Sequence, residues 1–304
     1  MIDKVNAIVN CCPNCLLLSF AVVVVLVSGG GCALQSEKLM IKETGHAYAP
    51  DTIISARTGK PVSFEEMLAD LKTAGMVYIG ETHTDQTHHD IQLQIIQALY
   101  RECSQLSVGM EMFDRSYQPV LDQWAAGNLD TATFKAHTHW YANWRYNYNL
   151  YAPILDFIKE NTIPLIGLNI PFYIPPRIAI GGADSLGPHE AGYLPENVDT
   201  QNEDHKAYLK KIYEQHQHFK GRRSFENFYY TQCVWEDTMA EAVARNLKGD
   251  KMVVLAGNGH IIRKFGIPDR AFLRTMAPFK TVYTAAVGSS PELSFGDYIW
   301  ITEK

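Results

Sequence analysis

Two stretches decide the fold: Met76-Val-Tyr-Ile-Gly-Glu-Thr-His83 and, far along the chain, Met252-Val-Val-Leu-Ala-Gly-Asn-Gly-His260. Each opens with four apolar residues that include β-branched side chains, a length and content that suit a buried strand. Each then passes a glycine and reaches a histidine three residues later, Gly80 to His83 and Gly257 to His260. Glycine permits a tight turn or a positive φ, so the expectation is that both histidines fold back over a sheet edge.

Reading outward, Ser63-Phe-Glu-Glu66 is a capping box that opens a helix through about Lys72. A helix over about 85–102 follows the first strand, with Ile91, Ile95 and Leu99 on one face. Further strands are expected over 107–110, 163–166, 282–287 and 298–301, with Pro164 at a start or an edge. Further helices are expected over 118–126, 150–159, 204–219 and 224–247. Strands separated by helices imply βαβ crossovers. The fold class is therefore α/β, a mostly parallel central sheet with helices on both faces. The Pro- and Gly-rich run over 174–201 breaks that rhythm and reads as a helical or irregular excursion, a candidate ligand or partner surface.

Ligands in such sheets bind outside the carboxyl ends of the strands. The residues expected there are Glu81, His83, Glu111, Asp114, Asn169 and His260. Two glutamates and two imidazoles could hold a divalent metal, or could form a buried polar network tying the strand-end loops together. Other signals fall away. Gly257-Asn-Gly259 lacks the third glycine of a dinucleotide fingerprint, because Ile262 stands there. His189-Glu190 begins like a zincin motif but Tyr193 occupies the position of its second histidine. The pairs His137/His139 and His216/His218 are two apart, so on a helix the rings point to roughly opposite faces. Six aromatics crowd Trp140 to Tyr151. They read as core packing, with a flat apolar ligand as the alternative and Arg145 as a cation for its carboxylate.

The chain of 304 residues is 46% apolar and 20% charged, an ordinary globular balance with a formal charge of −6. No basic stripe suits a nucleic acid. Four of the six cysteines, Cys11, Cys12, Cys15 and Cys32, lie at the N-terminus, so the body has no disulfide framework. Cys15 to Val27 is an uncharged apolar run, followed by Ser28-Gly-Gly-Gly31-Cys32. That pattern reads as a lipoprotein-type signal peptide over 1–31, with Cys32 the acylated residue. Residues 32–50 read as a tether and 51–304 as the folded domain. Ala33 after the cysteine is compatible with the outer membrane, which would place the domain in an extracytoplasmic compartment of a bacterium.

The ordered set G-E-T-H, Val108-Gly-Met-Glu-Met-Phe113, Leu168-Asn-Ile-Pro171, Trp235-Glu-Asp-Thr-Met-Ala240 and A-G-N-G-H-I resembles the ChaN family of haem-binding lipoproteins, within the haem-uptake and Tiki superfamily. The likeness runs from about Asp51 to Gly288. It implies an α/β fold, a lipid anchor, and haem as ligand at the interface of a homodimer, with haem-uptake machinery at the membrane as partner. It also implies a tyrosine on the iron and a histidine that assists. Tyr193 with His189 is the choice here, because both lie in the excursion; Tyr173 and Tyr208 are rivals. Arg177, Arg222 and Arg223 are candidates for the haem propionates. The chain departs from the family twice: W-D-E-T-M-A stands as W-E-D-T-M-A, and Phe172 replaces an arginine common after N-I-P. Tiki-type relatives imply an alternative, a metal-dependent hydrolase with His83, Glu111 and His260 on the metal and Glu81 as general base.

Overall fold

The computed structural model describes residues 37–103, 105–215, 224–249 and 251–304. The signal segment, Cys32, His216, His218, Arg222 and Arg223 lie outside the described residues. Four short strands come first, β1 (Leu39–Ile41), β2 (His46–Tyr48), β3 (Ile53–Ser55) and β4 (Lys60–Val62). Then α1 (Phe64–Leu71), β5 (Met76–Glu81), α2 (Gln86–Tyr100) and β6 (Leu106–Asp114) follow. The middle of the chain is helical: α3 (Gln118–Ala125), α4 (Thr131–His137), α5 (Trp140–Asn143) and α6 (Ala152–Glu160) lead to β7 (Leu165–Asn169). After it come α7 (Ile174–Gly181), α8 (Pro188–Ala191), α9 (Glu203–Gln215) and α10 (Phe225–Asn246). The chain closes with β8 (Lys251–Gly257), α11 (Ile267–Thr275), β9 (Phe279–Ala286) and β10 (Tyr298–Thr302).

The expected capping box forms. Ser63 Oγ accepts from Glu66 N at 3.1 Å and Glu66 Oε2 accepts from Ser63 N at 2.8 Å, an N-cap worth about 1 kcal/mol. Eight strands make one sheet in the order β4-β3-β10-β9-β5-β8-β6-β7. From β10 to β7 every pairing is parallel, and only the β10–β3 and β3–β4 pairings at one edge are antiparallel. The mostly parallel α/β fold read from the sequence is the fold observed.

Strand alternation divides the core into two layers. Val77, Ile79, Val253 and Leu255 pack with α1, α2, α3 and α6. Met76, Tyr78, Met252 and Val254 pack with α10 and α11 on the other face. Four of the six crowded aromatics, Trp140, Trp144, Tyr148 and Tyr151, are buried in the first layer. Core packing therefore accounts for most of that run.

One expectation is corrected. The tether read over 32–50 is folded in its second half: β1 and β2 form a hairpin that buries Leu39, Ile41 and Tyr48 against Ile54, Ala285, Ile299 and Ile301. Alternating burial on three-residue strands is too short a signal to see in sequence. The excursion over 174–201, read as helical or irregular, contains two helices, α7 and α8, each with proline in its first turn, where the missing N–H costs nothing. Among the described residues no helix is long and apolar enough to cross a membrane.

Candidate functional site

The strands run further than their apolar runs suggested, so Glu81 and Glu111 are strand residues rather than loop residues. The neighbouring strands β5 and β8 place Glu81 opposite Gly257. Their two glycines serve close approach, not turning; neither lies in the left-handed region. A Cβ on Gly80 would stand 2.0 Å from Asn258 Oδ1, and one on Gly257 would stand 2.9 Å from the His83 ring. Each motif's glycine thus makes room for the other motif's side chain. Asn258 is held over Gly80 by donating from Nδ2 to Thr284 O at 2.8 Å.

Glu81 is buried and fully engaged. Its Oε1 accepts from Tyr151 Oη at 2.6 Å and from His83 Nδ1 at 2.8 Å, and its Oε2 accepts from Gln92 Nε2 at 2.8 Å. His89 Nδ1 lies 3.3 Å from the same Oε2. Burial by itself would raise this carboxyl, but the hydrogen bonds and charge of His83 and His89 overcome it and hold it at about 2. The His83 ring is partly open to a cleft of about 310 Å³ lined by Thr82, Tyr146 and Asn258. Burial would lower its pKa, yet Glu81 and Glu111 raise it. The Trp144 ring stands edge-on to it, with centroids 4.7 Å apart.

Glu111 anchors a second group. Its Oε2 accepts from Gly257 N at 2.7 Å, and His260 Nε2 lies 3.4 Å from Oε1. A register shift in β6 between Met110 and Asp114 leaves the Glu111 carbonyl to the side chain of Asn169, whose Nδ2 donates at 2.9 Å. Behind His260 lies Glu236 of α10, wholly buried, with His260 Nδ1, His205 Nε2 and Arg270 Nε each 3.5 Å from its oxygens. Burial disfavours charge on His260, but Glu111 and Glu236 raise it to about 10. The exchanged acids of the W-E-D-T motif have distinct tasks. Glu236 faces this cluster, while Asp237 takes Arg270, Arg274 and the Asp199 N–H. Phe172, in place of the family's arginine, packs on Trp144 with centroids 6.0 Å apart.

The structure thus brings His83, Glu111, His260 and Glu81 together, as expected, but as carboxylate–imidazole pairs. Among the described residues no group of three or more His, Cys, Asp or Glu side chains is arranged to hold a metal ion. The metal expectation finds no support in this arrangement, in which His260 lies between the carboxylates of Glu111 and Glu236. The buried polar network is the arrangement found. His89, Gln92, Tyr151, His205, Glu236 and Arg270 belong to it, and no sequence motif singles them out as site residues. Only the placement of Glu236 within W-E-D-T hints at a role.

The excursion residues gather elsewhere. His189 and Tyr193, at α8 and just beyond, stand edge to face with centroids 5.4 Å apart. The Tyr193 hydroxyl makes no hydrogen bond among the described residues, while the ring packs against the Ile170, Ile174 and Ile178 cluster. Tyr173, at the start of α7, is half exposed. Arg177 is already engaged, Nη1 with Glu190 and Nη2 with Ser185 O at 2.7 Å. Tyr208 lies on α9 beside a different cluster, with Leu209 and Phe228.

Residues 67–271 match the family described as haem-binding uptake, Tiki superfamily, ChaN. The chain belongs to that family. A solved structure titled as cofacial heme binding to ChaN of Campylobacter jejuni is 21% identical, with a TM-score of 0.66 over 82% of this chain and 95% of that one. The likeness shows the ChaN fold. A mutant of the erythromycin esterase EreC, in its open conformation, is 14% identical with a TM-score of 0.45 over 78% of this chain and 76% of its own. The type III effector HopBA1 is 11% identical with a TM-score of 0.42, over 78% and 92%. No curated protein sequence matches the chain.

Proposed function

We propose that this protein is a haem carrier of an uptake route, anchored by a lipid on Cys32 to a bacterial membrane, with its domain in an extracytoplasmic compartment. The observation that carries the reading is the match of residues 67–271 to a haem-binding uptake family. Tyr193 is the iron ligand, with His189 beside it, at an interface between two copies. A phenolate is a hard anionic ligand suited to ferric iron. Two features of the chain support that choice. The Tyr193 hydroxyl has no partner to give up among the described residues, and the neighbouring α7 face offers apolar surface in Tyr173 and Ile180, 50% and 64% exposed.

The test is a titration of the protein with ferric haem followed by absorbance. The expected result is a saturable high-spin spectrum of tyrosinate type with defined stoichiometry, lost in Tyr193→Phe. Featureless, non-saturating binding would sink the carrier reading. A Tyr193→Phe variant with an unchanged spectrum would move the ligand to another tyrosine, with Tyr173 next in line.

A further inference from the structure

The hairpin of β1 and β2 has two faces of opposite character. Leu39, Ile41 and Tyr48 point inward, onto Ile54, Ala285, Ile299 and Ile301. Tyr48 Oη also donates to Gly59 O at 3.1 Å, which ties the hairpin to the β3–β4 turn. The direction of its outer face is therefore fixed relative to the sheet. Alternation along a strand sends the other set of side chains outward. That set is Lys38, Met40 and Lys42, with Ala47 opposite Met40 in the register. Met40 is 54% exposed, and Lys38, Lys42 and Ala47 are exposed with it.

Neither lysine has an ion-pair partner among the described residues. Of the two flanking glutamates, Glu43 accepts from Leu293 N at 3.2 Å, and Glu37 is one step off the outward alternation. A chain of formal charge −6 thus presents, on this hairpin, an apolar side chain between two uncompensated cations. Headgroup phosphates match the cations, and the acyl boundary beneath them takes the thioether. Covalent reach points the same way. Cys32 precedes Lys38 by six residues, which span at most about 22 Å even when fully extended. A lipid on Cys32 would keep this face within that distance of the bilayer.

We propose that the outer face of the β1–β2 hairpin docks on the anionic phospholipid surface of the membrane that holds the Cys32 lipid. Met40 enters the headgroup layer, and Lys38 and Lys42 meet phosphates on either side of it. The proposal rests on the lipid-anchor reading and adds to it an orientation of the domain. It uses no residue of the α7–α8 face, which follows β7 at the opposite edge of the sheet, so the two surfaces are tested separately.

The experiment reconstitutes the full chain into vesicles of phosphatidylethanolamine and phosphatidylglycerol. A photo-crosslinking side chain is placed by Met40→p-benzoylphenylalanine, and adducts are read by mass spectrometry. Phospholipid adducts are expected there. Few or none are expected from Met276→p-benzoylphenylalanine, a 68% exposed position at the end of α11. Lys38→Gln together with Lys42→Gln should lower the adduct yield at position 40 about fivefold or more, as should vesicles of phosphatidylcholine alone. Equal yields at the two positions, adducts to a second copy of the chain in place of lipid, or a yield indifferent to both lysines would overturn the proposal. The same spectra report the mass of the N-terminal peptide. Acylated Cys32 without lipid adducts at position 40 would overturn the docking alone. An unacylated chain that does not sediment with the vesicles would remove the anchor reading and this proposal together.

Discussion

The strand-end cluster and the α7–α8 face use their polar groups in opposite ways. At the strand ends, Glu81 receives three hydrogen bonds and Glu111 is held by a backbone N–H and an imidazole, in surroundings closed by the sheet and α10. On the α7–α8 face, the Tyr193 hydroxyl has no hydrogen-bond partner among the described residues, and Tyr173 stands half in solvent. Glu81 and Glu111 are satisfied within the fold, whereas behind them both Glu236 oxygens, His260 Nδ1 and Arg270 Nε are buried with ion-pair neighbours at 3.5 Å but no hydrogen bond among the described residues. Uncommitted groups at a surface remain available to a ligand, which is why the proposed haem ligand is placed in the second region. The motifs most visible in the sequence therefore lie at the strand ends, and the proposed tyrosine ligand lies in the least regular segment.

The largest effect is expected at Glu236. Replacing it with alanine removes the charge that faces His260, His205 and Arg270 in a closed interior, and should lower stability by about 3 kcal/mol. Denaturant midpoints at constant slope measure this. A loss below about 1 kcal/mol would mean that the cluster is not the rigid half of the comparison.

Gly80→Ala should come next, at about 1–3 kcal/mol, because a Cβ there overlaps Asn258 Oδ1. The same denaturation curves in an Asn258→Ala background sharpen the point. If the interlock is the cause, the double variant should lose less than the two single losses added together. Simple additivity would place the cost of Gly80→Ala elsewhere.

The smallest effect is expected at Arg177, whose ion pair with Glu190 lies at the surface. Arg177→Ala should change stability by less than about 0.5 kcal/mol and ferric-haem affinity by less than about twofold. A larger affinity loss would mean that Arg177 gives up Glu190 to a propionate, and would blur the contrast between committed and open groups.

Much of the fold is legible because each central strand carries its signal locally. Met76–Ile79 and Met252–Leu255 are apolar on both faces, as strands covered by two helical layers must be, and α1 advertises its start with a capping box. The misses are equally local. The strands β1 to β4 have three residues each, shorter than any period can reveal. The strand-end glutamates and histidines are legible as a group, while their division into pairs is not.

Residue pattern alone determined the layered α/β class, the strand-end position of the G-x-x-H motifs and the family to which the chain belongs. These follow from hydrophobic periodicity and short motifs, whose information lies within a few residues. Only the tertiary structure decided that Gly80 and Gly257 serve close approach and that His260 sits between Glu111 and Glu236. It also decided that Arg177 is engaged with Glu190 and the Ser185 carbonyl. Each of these depends on groups far apart in the chain, where distance and burial set which partner a charge meets.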